Sequence, residues 1–288
     1  MKRTFLLILF VLAGMSVTRA QSYNDAFFDA LNSNDLETQR RVLAEWQEAA
    51  PNDVDLYIAR YNFYANQTFG TIGYVEGTDD ETDVPVSFDN YVSAFSFHSE
   101  AHADSALSVI SEAIGKFPNR LDLRFGKIYF LGQLANWDAF ADEIIATLNH
   151  SEQIDHLWTY PNMNGGMVEL LSEGVLDYQN DMLGAVSDFD KPTPEDTAMF
   201  LRMRRVAKRM VQLFPSDLYS VNILATTYTI FQEYDTAMKY LLRAEKIDPN
   251  DPIVLKNIVD VYNMMGKKNL AKPYQARLDK LQEQMSSE

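Results

Sequence analysis

Residues 217–249, DLYSVNILATTYTIFQEYDTAMKYLLRAEKIDP, carry the reading on which the fold turns. Val221, Leu224, Ala225 and Tyr228 recur at helical spacing in the first part, and Ala237, Leu241 and Ala244 do so in the second. Large apolar residues on one helix can meet small residues on the other. The two helices then approach closely and still fill the gap between them. Ala225 and Ala237 are the expected close-approach points.

Prolines in a Pro-Asn/Ser-Asp setting punctuate the chain at Pro51-Asn52-Asp53, Pro215-Ser216-Asp217 and Pro249-Asn250-Asp251, with Pro118-Asn119 a variant. The proline stops one helix, and the Asn, Ser or Asp accepts hydrogen bonds from the free amides that open the next. The four prolines are 67, 97 and 34 residues apart. Only the last interval is one hairpin long, so the others are expected to contain insertions or degraded units.

With Pro249 as the last fixed position, residues 217–249 resemble a unit of the tetratricopeptide repeat (TPR) family, whose period is about 34 residues. Every motif slot from Val221 to Ala244 holds an acceptable residue. Residues 252–265 and 269–284 form a second pair, with Leu255, Ile258, Val259, Tyr262, Ala271 and Leu278 on the slots and Gln275 departing at one. The resemblance is specific over residues 215–285, moderate over 36–149 and negligible over 150–192. It implies an all-α, right-handed α-solenoid of about six TPR-like helical hairpins, more than the three or so that a stable stack needs.

The amino-terminal half follows the pattern less closely. Residues 23–31 and 36–49 predict a capping helical pair, and 54–66 a first helix with Tyr57, Tyr61 and Tyr64 inward. The matching second helix is predicted at 104–117, where Ala106, Ile110, Ala113 and Pro118 repeat the mutual spacing of Ala237, Leu241, Ala244 and Pro249. Residues 67–103 are then one long insertion between two helices, with a short hairpin expected around the acidic turn 78–83. A further pair is read at 121–134 and 137–148, although Arg124 and Lys127 occupy slots that are usually apolar. Helices at 166–187 and 194–214 follow a polar, aromatic linker.

The first 20 residues read as a secretory signal peptide: Lys2 and Arg3, an apolar run, then Thr18 and Ala20 before the expected cleavage site. The run is about half of the roughly 20 residues needed to span a bilayer, and no later segment is predicted to span one. The chain contains no cysteine, which rules out disulfides, a thiolate metal site and a lipidated cysteine. Together these features predict a protein that is periplasmic or secreted. Residues 21–190 hold 7 basic and 29 acidic side chains, whereas residues 191–288 hold 15 and 12, which divides the chain at 190/191 into an acidic, degenerate half and a regular one. So acidic a chain lacks the basic footprint that nucleic-acid binding needs.

Several constellations invite a chemical reading. His98 and His102 stand four apart and would share a helix face, as in zinc sites, but no third ligand is set by spacing and a solvated helix start is the simpler reading. Asp79, Asp80, Glu81 and Asp83 crowd carboxylates without the order of a calcium loop. No phosphate loop or nucleophile elbow is present, and no carboxylate pair stands out among the 41 acids. Phe69, Tyr74, Trp158 and Tyr160 are candidate stacking faces for a sugar ring, against the commoner role of packing a loop. The stripe of Arg202, Arg205, Lys208 and Arg209 reads as a solvated face, a counterpart to the acidic half, or a site for an anionic partner.

In TPR families the first helices line a concave groove. Carrying those slots across places Tyr219, Asn222, Thr226 and Thr229, then Lys256, Asp260 and Asn263, on a partner-binding surface. The resemblance thus implies a scaffold that binds a protein or peptide without catalysis, cofactor or metal. The alternative is a carbohydrate-binding protein resembling the helical SusD-type glycan binders, which also contain TPR units.

Overall fold

Side-chain caps open most of the helices in the computed structural model, which describes residues 22–69, 99–189 and 191–285. Asp35, Asp53, Ser99, Asn136, Thr193, Asp217 and Asp251 each accept a hydrogen bond from an amide two or three residues onward. The three Pro-Asn/Ser-Asp settings therefore start helices as the sequence implies. Pro118-Asn119 works differently. Arg120 occupies the cap position without a side-chain bond, and the Leu121 amide donates to the Thr159 carbonyl at 3.0 Å.

The described residues form helices and no strand beyond isolated bridges. Helix α1 covers 22–32. It is followed by α2 (Leu36–Ala49), α3 (Val54–Thr68), α4 (Glu100–Lys116), α5 (Leu121–Gln133), α6 (Trp137–Gln153) and α7 (Met167–Gly184). The remaining helices are α8 (Pro194–Leu213), α9 (Leu218–Ile230), α10 (Tyr234–Ile247), α11 (Pro252–Met264) and α12 (Lys268–Met285). The fold is all-α and TPR-type, built of successive helical hairpins. Packing divides the chain into two compact units, Met1–Pro118 and Asn119–Glu288. The change of charge at 190/191 falls within the second.

In the first unit, Phe27, Val42, Trp46, Leu56, Ala59 and Phe63 form one core. Trp46 donates its indole N–H to the capping Asp53 at 2.9 Å, tying the core to the start of α3. The inward face of α3 is Leu56, Tyr57, Ala59 and Phe63, whereas Tyr61 and Tyr64 are half-buried. Here helix packing, which needs a small residue at Ala59, outweighs the aromatic spacing. Ala106, Ile110 and Ala113 are buried as the repeat spacing predicts. Both helices reach further into the interval 67–103 than expected, because α3 ends at Thr68 and α4 begins at Glu100. The Ser99 amide donates to the Thr68 carbonyl at 2.7 Å, which brings the ends of the connection together. The expected hairpin, the acidic turn 78–83, Tyr74 and His98 lie outside the described residues, as do residues 1–21.

In the second unit all seven slots of the 217–249 repeat are buried in one cluster, which continues into Ala207 and Val211 of α8 and Val254, Ile258 and Val261 of α11. Hairpin thus covers hairpin. Tyr228 and Tyr240 stack with ring centroids 5.6 Å apart. Gln275, the departure from the motif, is exposed and bonds Asp279 on its own helix at 2.7 Å. Earlier in the unit α8 packs chiefly on α6 and α9 and only lightly on α7. Helix α7 meets α5 at Gly174, where a Cβ would lie 2.8 Å from the Phe125 ring.

Four hairpins turn in the same way. Asn34, Ala135, Gln232 and Gly266 have φ of 55°, 51°, 59° and 71°. The next amide in each case bonds the carbonyl five residues back: Asp35 to Ala30, Asn136 to Leu131, Glu233 to Tyr228 and Lys267 to Tyr262. This left-handed closure satisfies the free carbonyls at the helix end. Only Gly266 adopts it without a steric cost. The connection between α7 and α8 is held instead by Asp196, 2% exposed. Its carboxylate accepts from the amide and hydroxyl of Ser187 and from those of Thr193, at 2.7–3.0 Å. These bonds hold its pKa well below the ordinary carboxylate value.

Gly266→Ala is expected to destabilise the carboxy-terminal unit by about 1 kcal/mol, read as a lower urea midpoint with an unchanged slope. Asp196→Asn is expected to lower the midpoint at neutral pH. Because the native pKa is depressed, ionised Asp196 stabilises the fold above its ordinary range, and this is lost only as pH falls through the depressed value. The gap between wild type and variant should therefore close in strong acid.

Candidate peptide-binding groove

Helix α9 is apolar on two sides. Val221, Leu224, Ala225 and Tyr228 are buried in the hairpin core, while Tyr219, Asn222, Ile223, Thr226 and Ile230 turn toward a cavity of about 270 Å³. Leu183 of α7, Phe200 and Met203 of α8, and Ile253 and Asn257 of α11 complete its wall. A second cavity, of about 160 Å³, follows along the same two helices and is lined by Thr226, Thr229, Asn257, Asp260, Val261 and Met264, with Leu241 beneath. Thr226 and Asn257 border both.

The structure brings Tyr219, Asn222 and Thr226 to the first cavity, and Thr226, Thr229 and Asp260 to the second. Lys256 and Asn263 line neither. Lys256 instead pairs with Asp260 at 2.6 Å, and Asn263 is exposed. Asn257 was not among the groove residues read from the sequence. It lies one residue beyond the motif slot, and a turn of about 100° carries the helix face from the open surface to the wall against α9. Its amide donates to Asn222 Oδ1 at 2.9 Å and so joins the two helices.

Hydrogen bonding makes the groove less polar than its sequence. The Thr226 hydroxyl donates to the Asn222 carbonyl at 3.0 Å, and that of Thr229 to Ala225 at 3.1 Å. Both are satisfied by their own helix, and their methyl groups are left for contact. Tyr219 donates to Asn180 Oδ1 at 2.9 Å. The result is an apolar recess with an amide pair at its edge, suited to one large apolar side chain and a neighbouring backbone polar group.

Trp158, Arg124, Lys127 and His102, singled out in the sequence, take structural roles. Trp158 is 6% exposed, donates to Ser151 Oγ at 2.8 Å and lies under the Arg124 guanidinium at 5.5 Å. It therefore offers no stacking face for a sugar, because its apolar area is already covered by the fold. Ser151 Oγ is 2.7 Å from His156 Nδ1, but Ser151 is fully buried. The pair locks the linker and is closed to substrate. Arg124 and Lys127, the misfits of α5, both reach Glu143 on α6, at 3.6 and 2.7 Å. Burial lowers the Arg124 pKa, and Glu143 opposes that shift. His102 directs Nδ1 to the Gln67 carbonyl at 3.2 Å and packs beside Tyr64. No cluster of three or more potential metal ligands occurs among the described residues.

The basic stripe of α8 faces the acidic side of α6. Arg202 forms a two-pronged bond to Asp138 at 2.7 and 3.0 Å, Arg205 pairs with Asp142, and Arg209 reaches Asn149 and Glu152, each at 2.6 Å. Arg202 holds the Asp138 carboxyl below its usual value. The stripe is thus the internal counterpart of acidic residues, and Arg202, Arg205 and Arg209 are already engaged.

No family model and no curated protein matches the chain. Among solved structures, a tetratricopeptide repeat protein from Parabacteroides merdae aligns with a TM-score of 0.39 at 11% identity, covering 91% of this chain and 78% of that one. PilF from Pseudomonas aeruginosa aligns with a TM-score of 0.37 at 11% identity over 95% and 99% of the two chains. PilW, titled a type IV pilus biogenesis factor, aligns with a TM-score of 0.38 at 13% identity over 90% and 91%. The TPR-type character of the fold rests on the hairpins themselves, with every slot of the 217–249 repeat buried. No helix among the described residues is long and apolar enough to cross a membrane.

Arg202→Gln is expected to lower the thermal midpoint at low ionic strength, with the loss shrinking as salt approaches 1 M, where screening acts within about 3 Å. A loss independent of salt would assign Arg202 a packing role instead.

Proposed function

We propose that the protein is a non-catalytic interaction scaffold, periplasmic or secreted, that holds a segment of a partner protein between α9 and α11. The observation that carries this reading is the cavity of about 270 Å³ bounded by Phe200, Met203, Ile223 and Ile253, with the Asn222–Asn257 pair at its edge. An apolar side chain of the partner seats there and serves as the anchor, because interface energy concentrates where a large side chain is fully desolvated in a preformed pocket. Asn222 and Asn257 then meet main-chain polar groups of the segment. Thr226 and Thr229 carry it toward the second recess, where Asp260 and its partner Lys256 add a polar boundary, with Tyr219 and Asn263 at the margins.

The test is site-specific photocrosslinking in intact cells with the probe at Tyr219, followed by identification of the captured protein. Ile253 is 58% exposed at the cavity mouth, and Leu270 is 51% exposed on α12. Ile253→Asp is expected to reduce capture at least tenfold, and Leu270→Asp to leave it unchanged. Equal capture by both variants would sink the groove reading. Turnover of a substrate by the purified protein, whether or not Ile253→Asp changes it, would sink the non-catalytic one.

A further inference from the structure

A second site of different chemistry lies in the amino-terminal unit. Helices α2 and α3 leave an open notch of about 510 Å³. Arg40, Leu43, Ala44 and Gln47 line it from α2, at the spacing of one helix face, and Arg60, Phe63 and Tyr64 from α3. Arg40 stands opposite Phe63, with its guanidinium carbon 5.8 Å from the ring centroid. Arg60 stands opposite Gln47 and donates to Oε1 at 3.3 Å. The two arginines therefore mark opposite ends of the notch, with an apolar floor between them.

Charge balance makes these arginines conspicuous. Residues 21–118 contain 4 basic and 17 acidic side chains. Arg41 and Lys116 pair with Glu45 and Glu112 on their own helices. Among the described residues, no carboxylate comes within ion-pair distance of Arg40 or Arg60. Their guanidinium groups lie instead over aromatic rings, Arg40 over Phe63 and Arg60 over Tyr57 at 6.0 Å. Stacking occupies the face of a guanidinium and leaves its in-plane N–H donors outward, the geometry that accepts a carboxylate with two parallel bonds.

We propose that this notch binds a short acidic segment of a partner protein, with two carboxylates flanking an apolar residue. From Arg40 to Gln47 helix α2 advances roughly 10 Å, which is about one three-residue turn of a polyproline II chain, in which residues three apart return to the same face. The pattern that fits is acid, two residues with at least one apolar, acid. The two carboxylates meet Arg40 and Arg60, and the apolar side chain covers Leu43, Ala44 and Tyr64. The acidic surroundings select such a segment over polyanions, since a nucleic acid or an anionic membrane would set many charges against the unit's excess of 13 negative charges, 17 less 4.

The experiment uses the full chain without residues 1–20 and a fluorescent, end-blocked peptide carrying Glu-Leu-Leu-Glu, with Gln-Leu-Leu-Gln as control, followed by polarisation titration. The wild type is expected to bind the acidic peptide and discriminate against the amide control. Arg40→Gln and Arg60→Gln should each weaken binding roughly five- to tenfold, as for partly exposed charged hydrogen bonds. Arg60→Glu should recover binding to a peptide in which one glutamate is replaced by lysine. Ile253→Asp should change nothing, which separates this site from the groove of the other unit. Thermal melts of each variant establish that it is folded. Absence of wild-type binding up to millimolar peptide, equal binding of the amide control, or indifference to both arginine substitutions overturns the assignment.

Discussion

Two helices can approach as closely as a TPR-type hairpin requires only where one presents no more than a methyl group to the other. Ala225, Ala237 and Ala244 meet that condition and are fully buried. The larger Val221, Leu224 and Leu241 fill the space around them to the density of a protein interior. Because the same cluster takes in Ala207, Val254 and Ile258, each hairpin completes its neighbour's core. The first unit repeats the device with Ala59 on α3 and Ala106 and Ala113 on α4. Without these small residues, helices of this length would stand apart and their apolar faces would remain wet.

Polar groups in this fold mainly place the helices that alanine packing leaves undetermined. Arg124 and Lys127 are brought to Glu143, and Arg202, Arg205 and Arg209 to the acidic side of α6. The lone-pair capacity of Asp196 is used to hold the α7–α8 connection. Positive φ at Asn34, Ala135 and Gln232 shows the opposite balance. There the carbonyls at the helix end are satisfied by a left-handed closure that carries a steric cost. The helix spacing is set elsewhere, and the turn must comply.

Periodic features were legible beforehand because they depend on local geometry. The slots of residues 217–249, the Asp53, Asp217 and Asp251 caps, and the second helix around Ala106, Ile110 and Ala113 all follow from 3.6-residue periodicity and capping chemistry. Features that depend on what lies opposite were not. Phe63 takes the inward place that the spacing assigns to Tyr64, Trp158 is covered where the sequence offers an open platform, and Arg124 is paired where the motif is broken. Each depends on the neighbouring helix. The candidate groove shows both cases: Tyr219, Asn222 and Thr226 share a cavity, whereas Asn257 lies one residue outside the slot pattern and Lys256 turns toward Asp260.

The sequence by itself determined the helical class, the hairpin period, the Asp53, Asp217 and Asp251 caps and the existence of a long connection between the third and fourth helices, since all of these are encoded in spacings along one chain. Tertiary structure alone decided which polar side chains are used up within the fold and which are not. Thr226 and Thr229 turn their hydroxyls inward, and Arg202 finds Asp138 across 64 residues of sequence. Arg40 and Arg60 meet at one notch with aromatic rings behind them. The physical reason is range. Periodicity and capping act within one or two helical turns, whereas pairing is decided by distances of a few ångströms between residues that folding brings together.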